Sequence, residues 1–344
     1  MNKILQMSLC AYTAYCLEVS SDTTTEYLRE IALSEEIQLR NKNWKTLLSK
    51  EERAEEEKRL MQECQQHDIH LLIGMDGFVN PFTSEIVPVP LLLDTPGVAM
   101  IAAYLTVKKG LSNLFVCTSV EAMLNQVQRI VDKEGDQRCS LILSTMGYHK
   151  EALFFEKTEK EIKISWMESI PTKEEGAPGG FCIPVVLLEM AKLYRSKGFS
   201  VELFYSGVQR LSSDYGCGVF ALQDSISFLQ DPDFFVRIYS EDAIDGVHVL
   251  LDLPPEYMIG TQSLQVIENY KTSHLEEIMT HPMPGRRKNF EEYLEKYNLL
   301  NGEKKQNHYI TKKHFQYMNL VIEAAKILPP DEIQRLIQTT LVTQ

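Results

Sequence analysis

The sequence predicts an α+β protein in which a β-sheet packs against helices. Apolar runs of strand length occur at 141–146, 152–156 and 162–168, and the polar residues 157–161 between the last two favour a hairpin. Apolar residues then recur with helical spacing at 184–195 and after Cys217. Strands followed by amphipathic helices are typical of the α+β class.

The rest of the chain is organised around this segment. The 344 residues are 44% hydrophobic, enough for one large domain with an appended module or for two domains. Residues 1–66 have a helical pattern, in which the charged run 50–63 predicts a solvated helix face. Residues 71–93 mix short apolar runs with glycine and proline, which predicts short strands and turns.

Composition excludes several classes of function. A formal net charge of -13 argues against nucleic-acid binding and against anionic membranes, since both bind basic surfaces. The sequence contains no apolar stretch of about 20 residues, so it predicts no membrane-spanning helix. Residues 1–17 make a poor signal peptide. The seven cysteines form no CxxC pairs, so we expect no bound metal and no disulfide framework. This cysteine pattern fits a protein that works in a reducing cytosol. No P-loop or dinucleotide fingerprint is present.

The segment around Cys217 predicts a reactive thiol. Cys217 lies between Gly216 and Gly218 and opens an apolar helical pattern, so it would occupy the first turn of a buried helix. A helix N-terminus and a neighbouring imidazole lower a thiol pKa from about 8.5 to roughly 3.5 to 7.5, which gives a nucleophilic thiolate. On this segment alone, a packed structural cysteine is the alternative.

His149 and Glu168 supply the other two groups of a Cys-His-acid site. His149 follows an apolar strand and a small-residue break, and Glu168 ends the second strand of the hairpin, so both would lie at one end of the sheet. A carboxylate there would fix the imidazole tautomer and stabilise the imidazolium. Taken singly, each residue also fits a structural or surface role.

The order and spacing of these motifs resemble the YopJ-type acetyltransferase effectors of bacterial pathogens, which are related in fold to the Ulp-like cysteine proteases. The resemblance runs from about residue 119 to about residue 328. It implies a Ulp-like core with a mixed sheet and a helical regulatory module after it, whereas the first hundred residues match poorly. We expect the chain to divide into an N-terminal helical/regulatory region at 1–94, a catalytic core at 95–250 and a C-terminal regulatory module at 251–344. The matching segments are Met146-Gly147-Tyr148-His149, Ser165-Trp166-Met167-Glu168, Gln209-Arg210-Leu211-Ser212-Ser213 and Cys217-Gly218-Val219-Phe220.

The resemblance implies acetyl transfer through a cysteine thioester. Cys217 would attack acetyl-CoA with His149 as general base and Glu168 orienting the imidazole. The acetyl group would pass to a Ser, Thr or Lys of a host protein, with signalling kinases among the candidates. Gln209 would donate to the oxyanion, although it precedes the cysteine by eight residues where the family has six. The protein would be a secreted bacterial effector that acts in the host cell cytoplasm.

The resemblance also implies activation by inositol hexakisphosphate. Basic residues of the C-terminal third match the family's ligand-binding positions, and arginine donors suit phosphate oxygens. Ordinary surface basic residues are the alternative. One departure is Ile259, which stands where some members carry an autoacetylated lysine. The implied ligand residues are Arg286, Arg287, Lys288, Lys313 and His314.

Two other functions remain open from the sequence. A protease of the same fold that cleaves ubiquitin or ubiquitin-like conjugates would use the same three residues. A degenerate scaffold that only binds a host protein would explain the displaced Gln209 and the missing lysine. The region after Cys217 favours acetyl transfer, because it resembles the regulatory module of the effectors and the Ulp-like proteases generally lack it.

Overall fold

The computed structural model describes most of the chain after residue 49. The described residues are 50–67, 72–74, 78–79, 86–87, 91–145, 149–169, 182–206, 208, 210–211, 216–238, 247–250, 252–274, 282–283, 288–301 and 304–343. The helical prediction for residues 1–49 lies outside this part of the chain.

The described part of the chain contains both helices and strands. The helices are α1 (Lys50–Gln66), α2 (Thr95–Lys109), α3 (Val120–Val131), α4 (Cys182–Ser196), α5 (Cys217–Gln230), α6 (Phe234–Arg237), α7 (Pro255–Met258), α8 (Leu264–Ser273), α9 (Phe290–Tyr297), α10 (Tyr309–Ile327) and α11 (Pro330–Gln338). The strands are β1 (Ile73–Gly74), β2 (Phe78–Val79), β3 (Ile86–Val87), β4 (Leu92–Leu93), β5 (Leu114–Cys117), β6 (Gln137–Thr145), β7 (His149–Lys157), β8 (Glu161–Met167), β9 (Ser200–Ser206), β10 (His248–Leu250), β11 (Asn298–Asn301), β12 (Lys304–Asn307) and β13 (Leu341–Val342).

A seven-stranded mixed sheet organises the molecule. Its strand order is β10-β9-β8-β7-β6-β5-β13. The central strands β6, β7 and β8 are antiparallel, whereas the pairs β8/β9, β9/β10, β5/β6 and β5/β13 are parallel. The α+β prediction is therefore confirmed, and β7 and β8 form the predicted hairpin, in which Ala152 pairs with Met167.

Both faces of the sheet are covered by helices. Side chains alternate between the two faces along each strand, so one strand contributes to both helical layers. On β6, Leu141 and Leu143 join one apolar cluster, which also contains residues of α3 and α4. Ile142 points to the other face and joins a second cluster with residues of α2, α5 and α10. The sheet thus lies between two helical layers, and α5 packs directly on its central strands β6 and β7.

The two ends of the described chain both contact the core. Helix α1 packs on α10, where Arg59 donates to Asn319 at 2.7 Å and Lys326 bonds Glu63 at 2.9 Å. Strand β13 pairs with β5 at the sheet edge, although it belongs to the segment predicted as a regulatory module. No described helix is long and apolar enough to cross a membrane.

Candidate active site

Three elements bring the predicted site residues together at one end of the sheet. His149 is the first residue of β7 and pairs with Thr145 on β6. Glu168 directly follows β8, and its backbone N–H donates to the carbonyl of Ser206 on β9 at 2.9 Å. Cys217 is the first residue of α5, the helix that packs against β7.

His149 and Glu168 form a buried hydrogen-bonded pair. The imidazole Nε2 lies 3.1 Å from Oε1 and 3.0 Å from Oε2 of Glu168. The backbone N–H of Ser169 donates to Glu168 Oε1 at 2.7 Å, which holds the carboxylate in place. His149 and Glu168 are 6% and 3% exposed, so the pair is shielded from water.

Cys217 completes the cluster through a hydrogen bond with His149. Because Nε2 already faces carboxylates, we infer that Nδ1 is the ring nitrogen facing the sulfur. Burial opposes ionisation of the thiol, but the bond and charge of His149, with the charge and backbone N–H of Lys150, lower the pKa of Cys217 below its usual value. Burial likewise opposes the imidazolium, but bonds with Cys217, Glu151 and Glu168 raise the pKa of His149 well above its usual value.

Glu151 is a second carboxylate at the same imidazole, and sequence reasoning missed it. Its Oε1 lies 3.3 Å from His149 Nε2, and the Trp166 indole N–H donates to its Oε2 at 2.6 Å. Strand alternation was the available signal, since residues 149 and 151 of one strand share a face.

Lys150 is the second residue that sequence reasoning missed. It is 1% exposed and faces α5, where a Cβ added to Gly218 would lie 3.5 Å from the Lys150 Cγ. Burial lowers the pKa of Lys150, while the charges of Cys217 and Asp94 partly restore it. Lys150 thus brings a second basic side chain close to the thiol.

The donor atoms of His149, Glu151 and Glu168 lie within 4.8 Å of one another, a separation that metal ligands also have. In the structure, His149 Nε2 faces oxygens of both carboxylates, the Trp166 indole N–H donates to Glu151, and the Ser169 N–H donates to Glu168. We therefore interpret the cluster as a hydrogen-bonded network around the imidazole.

Hydrogen bonds hold part of the loop between β9 and α5 next to Glu168. The backbone N–H groups of Arg210 and Leu211 donate to the carbonyl of Ser169 at 3.1 and 2.9 Å. The Arg210 guanidinium is fully buried and forms a two-point ion pair with Asp224 of α5, at 2.8 and 2.7 Å. Gln209, the predicted oxyanion donor, precedes this anchor and lies outside the described residues.

The predicted phosphate-binding residues are only partly described. Arg286 and Arg287 lie outside the described residues, while Lys288 and Lys313 are half-buried. His314 is 3% exposed within α10, and burial lowers its pKa to about 4, although a hydrogen bond with the Leu91 backbone opposes the shift. His314 is therefore neutral at pH 7 in this conformation and offers no charge to an anion.

The fold and the cluster define an α+β chain with a thiol, an imidazole and a carboxylate joined at one end of its central sheet. Residues 94–319 match the family model described as YopJ Serine/Threonine acetyltransferase, and the chain belongs to this family. The predicted family membership is thereby confirmed. No protein of curated function matches the sequence significantly.

Several solved structures are similar to the chain at low sequence identity. An AvrA single-residue deletion variant with IP6 and CoA has 14% identity and a TM-score of 0.43 over 88% of this chain and 99% of that chain. HopZ1a in complex with IP6 has 13% identity and a TM-score of 0.49, covering 79% of this chain and 99% of its own. HopZ1a with IP6 and CoA has 12% identity and a TM-score of 0.49, covering 78% and 99%.

Proposed function

We propose that the protein transfers an acetyl group from acetyl-CoA to host proteins through a thioester on Cys217. In the first half-reaction the Cys217 thiolate attacks the thioester carbonyl, and the bond from that carbon to the CoA sulfur breaks. The leaving CoA thiolate takes the proton held by the His149 imidazolium. In the second, His149 removes a proton from a Ser or Thr hydroxyl or a Lys amine, which attacks the acetyl carbon and releases Cys217.

The observation that carries this proposal is the connected arrangement of Cys217, His149 and Glu168. The opposite pKa shifts of the thiol and the imidazole favour a thiolate–imidazolium pair near neutral pH. Glu168 accepts from Nε2–H, which fixes the tautomer and stabilises the positive ring.

The start of α5 also suits the oxyanion that forms during attack. The Cys217 backbone N–H lies in the first turn of the helix, at the positive end of the helix dipole, which favours a negative charge. We assign the second donor to the Gln209 amide, and loss of one such donor typically costs about 2.7 to 4 kcal/mol in the transition state. The Arg210–Asp224 ion pair would hold the loop that carries Gln209.

We further propose that inositol hexakisphosphate activates the enzyme, which would confine activity to the host cell cytoplasm after secretion from a bacterium. Family membership and the basic residues Arg286, Arg287, Lys288 and Lys313 support this proposal. His314 is left out of the anion site because it is buried and neutral. Host signalling proteins, kinases among them, are the proposed acceptors.

Two parallel assays distinguish acetyl transfer from proteolysis. The purified protein is incubated with radiolabelled acetyl-CoA, with and without inositol hexakisphosphate, and separately with a fluorogenic ubiquitin-tail substrate. We expect label on protein only with the activator, and no cleavage of the ubiquitin substrate. Cysteine-dependent cleavage without labelling would replace this function with that of a Ulp-like protease, and the absence of both activities would favour a binding scaffold.

Matched cysteine variants identify the nucleophile in the same assays. Cys217→Ala should abolish labelling, because it removes the thiol that would carry the acetyl group. Cys139→Ala removes another buried thiol, whose pKa is raised mainly by burial, and should label like the wild type. Wild-type labelling of Cys217→Ala would contradict the mechanism.

A further inference from the structure

The imidazole of His149 faces two carboxylates, and the proposed mechanism uses only one. Nε2 lies 3.0 Å from Glu168 and 3.3 Å from Glu151. We propose that Glu151 is a positioning residue that acts through His149, held by Trp166 so that a second negative charge faces the imidazolium. This inference rests on the proposed function, since it assigns Glu151 to the same thiolate–imidazolium pair.

Trp166 determines which oxygen of Glu151 faces the histidine. The indole N–H donates to Oε2 at 2.6 Å, and Oε1 is then directed at His149 Nε2. Both side chains are 1% exposed, and Trp166 is among the largest fully buried side chains. The carboxylate is therefore fixed by a rigid indole on the neighbouring strand, and its position does not depend on solvent.

The hydrogen-bond pattern requires both side-chain oxygens of Glu151 to act as acceptors. An ionised carboxylate has two oxygens that accept, so it satisfies Trp166 Nε1–H and His149 Nε2–H together. A glutamine at this position would have one oxygen and one NH₂ group. Whichever way its amide turned, a donor would face either the indole N–H or the imidazole N–H. Glu151→Gln therefore removes a charge and also introduces a donor–donor conflict.

The ionisable groups around His149 and Cys217 indicate how a second carboxylate would stabilise the imidazolium. Glu151 and Glu168 face the imidazole from β7 and from the end of β8, while Cys217 faces it from α5. Lys150 interacts electrostatically with the Cys217 thiol and with Asp94. Burial raises the pKa of Glu151, and the Glu168 charge adds to this, but the bond and charge of His149 oppose it. Glu151 is therefore most readily ionised when His149 is positive, the state in which Cys217 is a thiolate.

The pH dependence of Cys217 alkylation tests this role without requiring acetyl transfer. Iodoacetamide labelling of the Cys217 peptide is followed by mass spectrometry across pH in the full-length protein. We expect Glu151→Gln to raise the apparent pKa of Cys217 by about one unit, because the imidazolium loses one of two facing charges. At a pH below both values, this shift lowers the labelling rate about tenfold.

Matched variants distinguish a specific effect of the Glu151 carboxylate from nonspecific effects of substitution in β7. Glu156→Gln makes the same substitution on the same strand, at a residue paired with Arg138 away from the site, and should label like the wild type. Glu151→Asp keeps the charge on a shorter side chain and should give a profile between those of the wild type and Glu151→Gln. His149→Ala removes the imidazole and should move the Cys217 profile furthest toward that of an ordinary thiol.

The outcomes distinguish failure of this inference from failure of the proposed function. A folded Glu151→Gln protein with the wild-type profile, alongside a shifted His149→Ala profile, would overturn the role of Glu151 alone. An unshifted His149→Ala profile would overturn the thiolate–imidazolium pair itself. If Glu151→Gln does not fold, Glu151→Asp decides: an intermediate profile supports the role, and a wild-type profile contradicts it.

Discussion

At the scale of single residues, the site concentrates ionisable groups where burial would normally keep them neutral. Each charge has a partner: Glu168 receives the Ser169 N–H and the imidazole, and Cys217 receives the Lys150 N–H. Cys217 is charged above its lowered pKa, and His149 is charged below its raised pKa. The two shifts together favour a thiolate beside an imidazolium.

Replacement of Glu168 by glutamine should lower the rate of acetyl transfer by orders of magnitude. A glutamine preserves shape but loses the charge that stabilises the imidazolium, and the equivalent change in a catalytic triad costs about ten-thousandfold. Initial rates with labelled acetyl-CoA, on protein shown by its melting curve to be folded, measure the effect. A wild-type rate would remove Glu168 from the acid role and leave Glu151 as the remaining carboxylate.

The sequence was sufficient to predict that His149, Glu168 and Cys217 lie together. The histidine is the first residue of a strand, the glutamate directly follows the partner strand of the hairpin, and the cysteine is the first residue of a helix. All three placements follow from local patterns. Glu151 was not predicted, because its role depends on an indole from the neighbouring strand. Lys150 was not predicted either, since a lysine in a strand gives no sign that it will be buried beside a thiol.

At the scale of elements, the Arg210–Asp224 ion pair connects the β9–α5 loop to the middle of α5. Asp224→Asn should leave the buried guanidinium without a counter-charge, which lowers the free energy of unfolding by about 3 to 5 kcal/mol. Urea unfolding measures the loss, and Asp136→Asn, at an exposed position, should stay within about 0.5 kcal/mol of the wild type. Equal stability of the two variants would show that the pair does not anchor the loop.

His314 makes the packing of α10 sensitive to acid. Its pKa is lowered from 6.5 to about 4, so between these values the unfolded chain binds a proton that the folded chain does not. The free energy of unfolding should therefore fall as pH decreases through this range, by at most about 1.4 kcal/mol per pH unit.

A matched pair of variants tests this acid sensitivity. His314→Gln cannot titrate and should lose less stability between pH 7 and pH 5 than the wild type does, as measured by urea unfolding at each pH. His67→Gln, at an exposed residue after α1, should keep the wild-type dependence. An unchanged dependence in His314→Gln would exclude His314 as its source.

Local patterns also predicted the main elements, but not how they associate. Helices α4, α5 and α10 and the β7/β8 hairpin follow from apolar periodicity. The pairing of β13 with β5 does not, because two residues near the end of the chain carry no signal for a partner so distant in sequence.

At the scale of the whole molecule, both ends of the described chain pack against helices of the same domain. Helix α1 contacts α10, and Thr340 just before β13 donates to the carbonyl of Ala99 in α2 at 2.7 Å. The division at 1–94, 95–250 and 251–344 remains a prediction. The contact between α1 and α10 joins the two predicted outer segments to each other, and the Thr340–Ala99 hydrogen bond joins the C-terminal segment to the predicted core. A ligand that orders the C-terminal part would therefore also stabilise the sheet.

Binding of inositol hexakisphosphate should raise the melting temperature of the protein. A ligand that binds only the folded state adds about 2.7 kcal/mol at one hundred times its dissociation constant. Charge reversal at Lys313 together with Arg287 should abolish the shift, whereas Lys192→Glu, on the exposed side of α4, should keep it. No shift for the wild-type protein would remove the proposed activator and leave the thiol chemistry untouched.

The central claim is that Cys217 carries the acetyl group, and direct trapping of the acyl-enzyme tests it. The protein is mixed with acetyl-CoA and inositol hexakisphosphate without an acceptor, quenched in acid and examined by mass spectrometry. We predict one acetyl group on the Cys217 peptide that hydroxylamine removes, with accumulation strongly reduced in His149→Ala. Acetyl-CoA turnover with the acetyl group only on other residues, and at an unchanged rate in Cys217→Ala, would contradict the account.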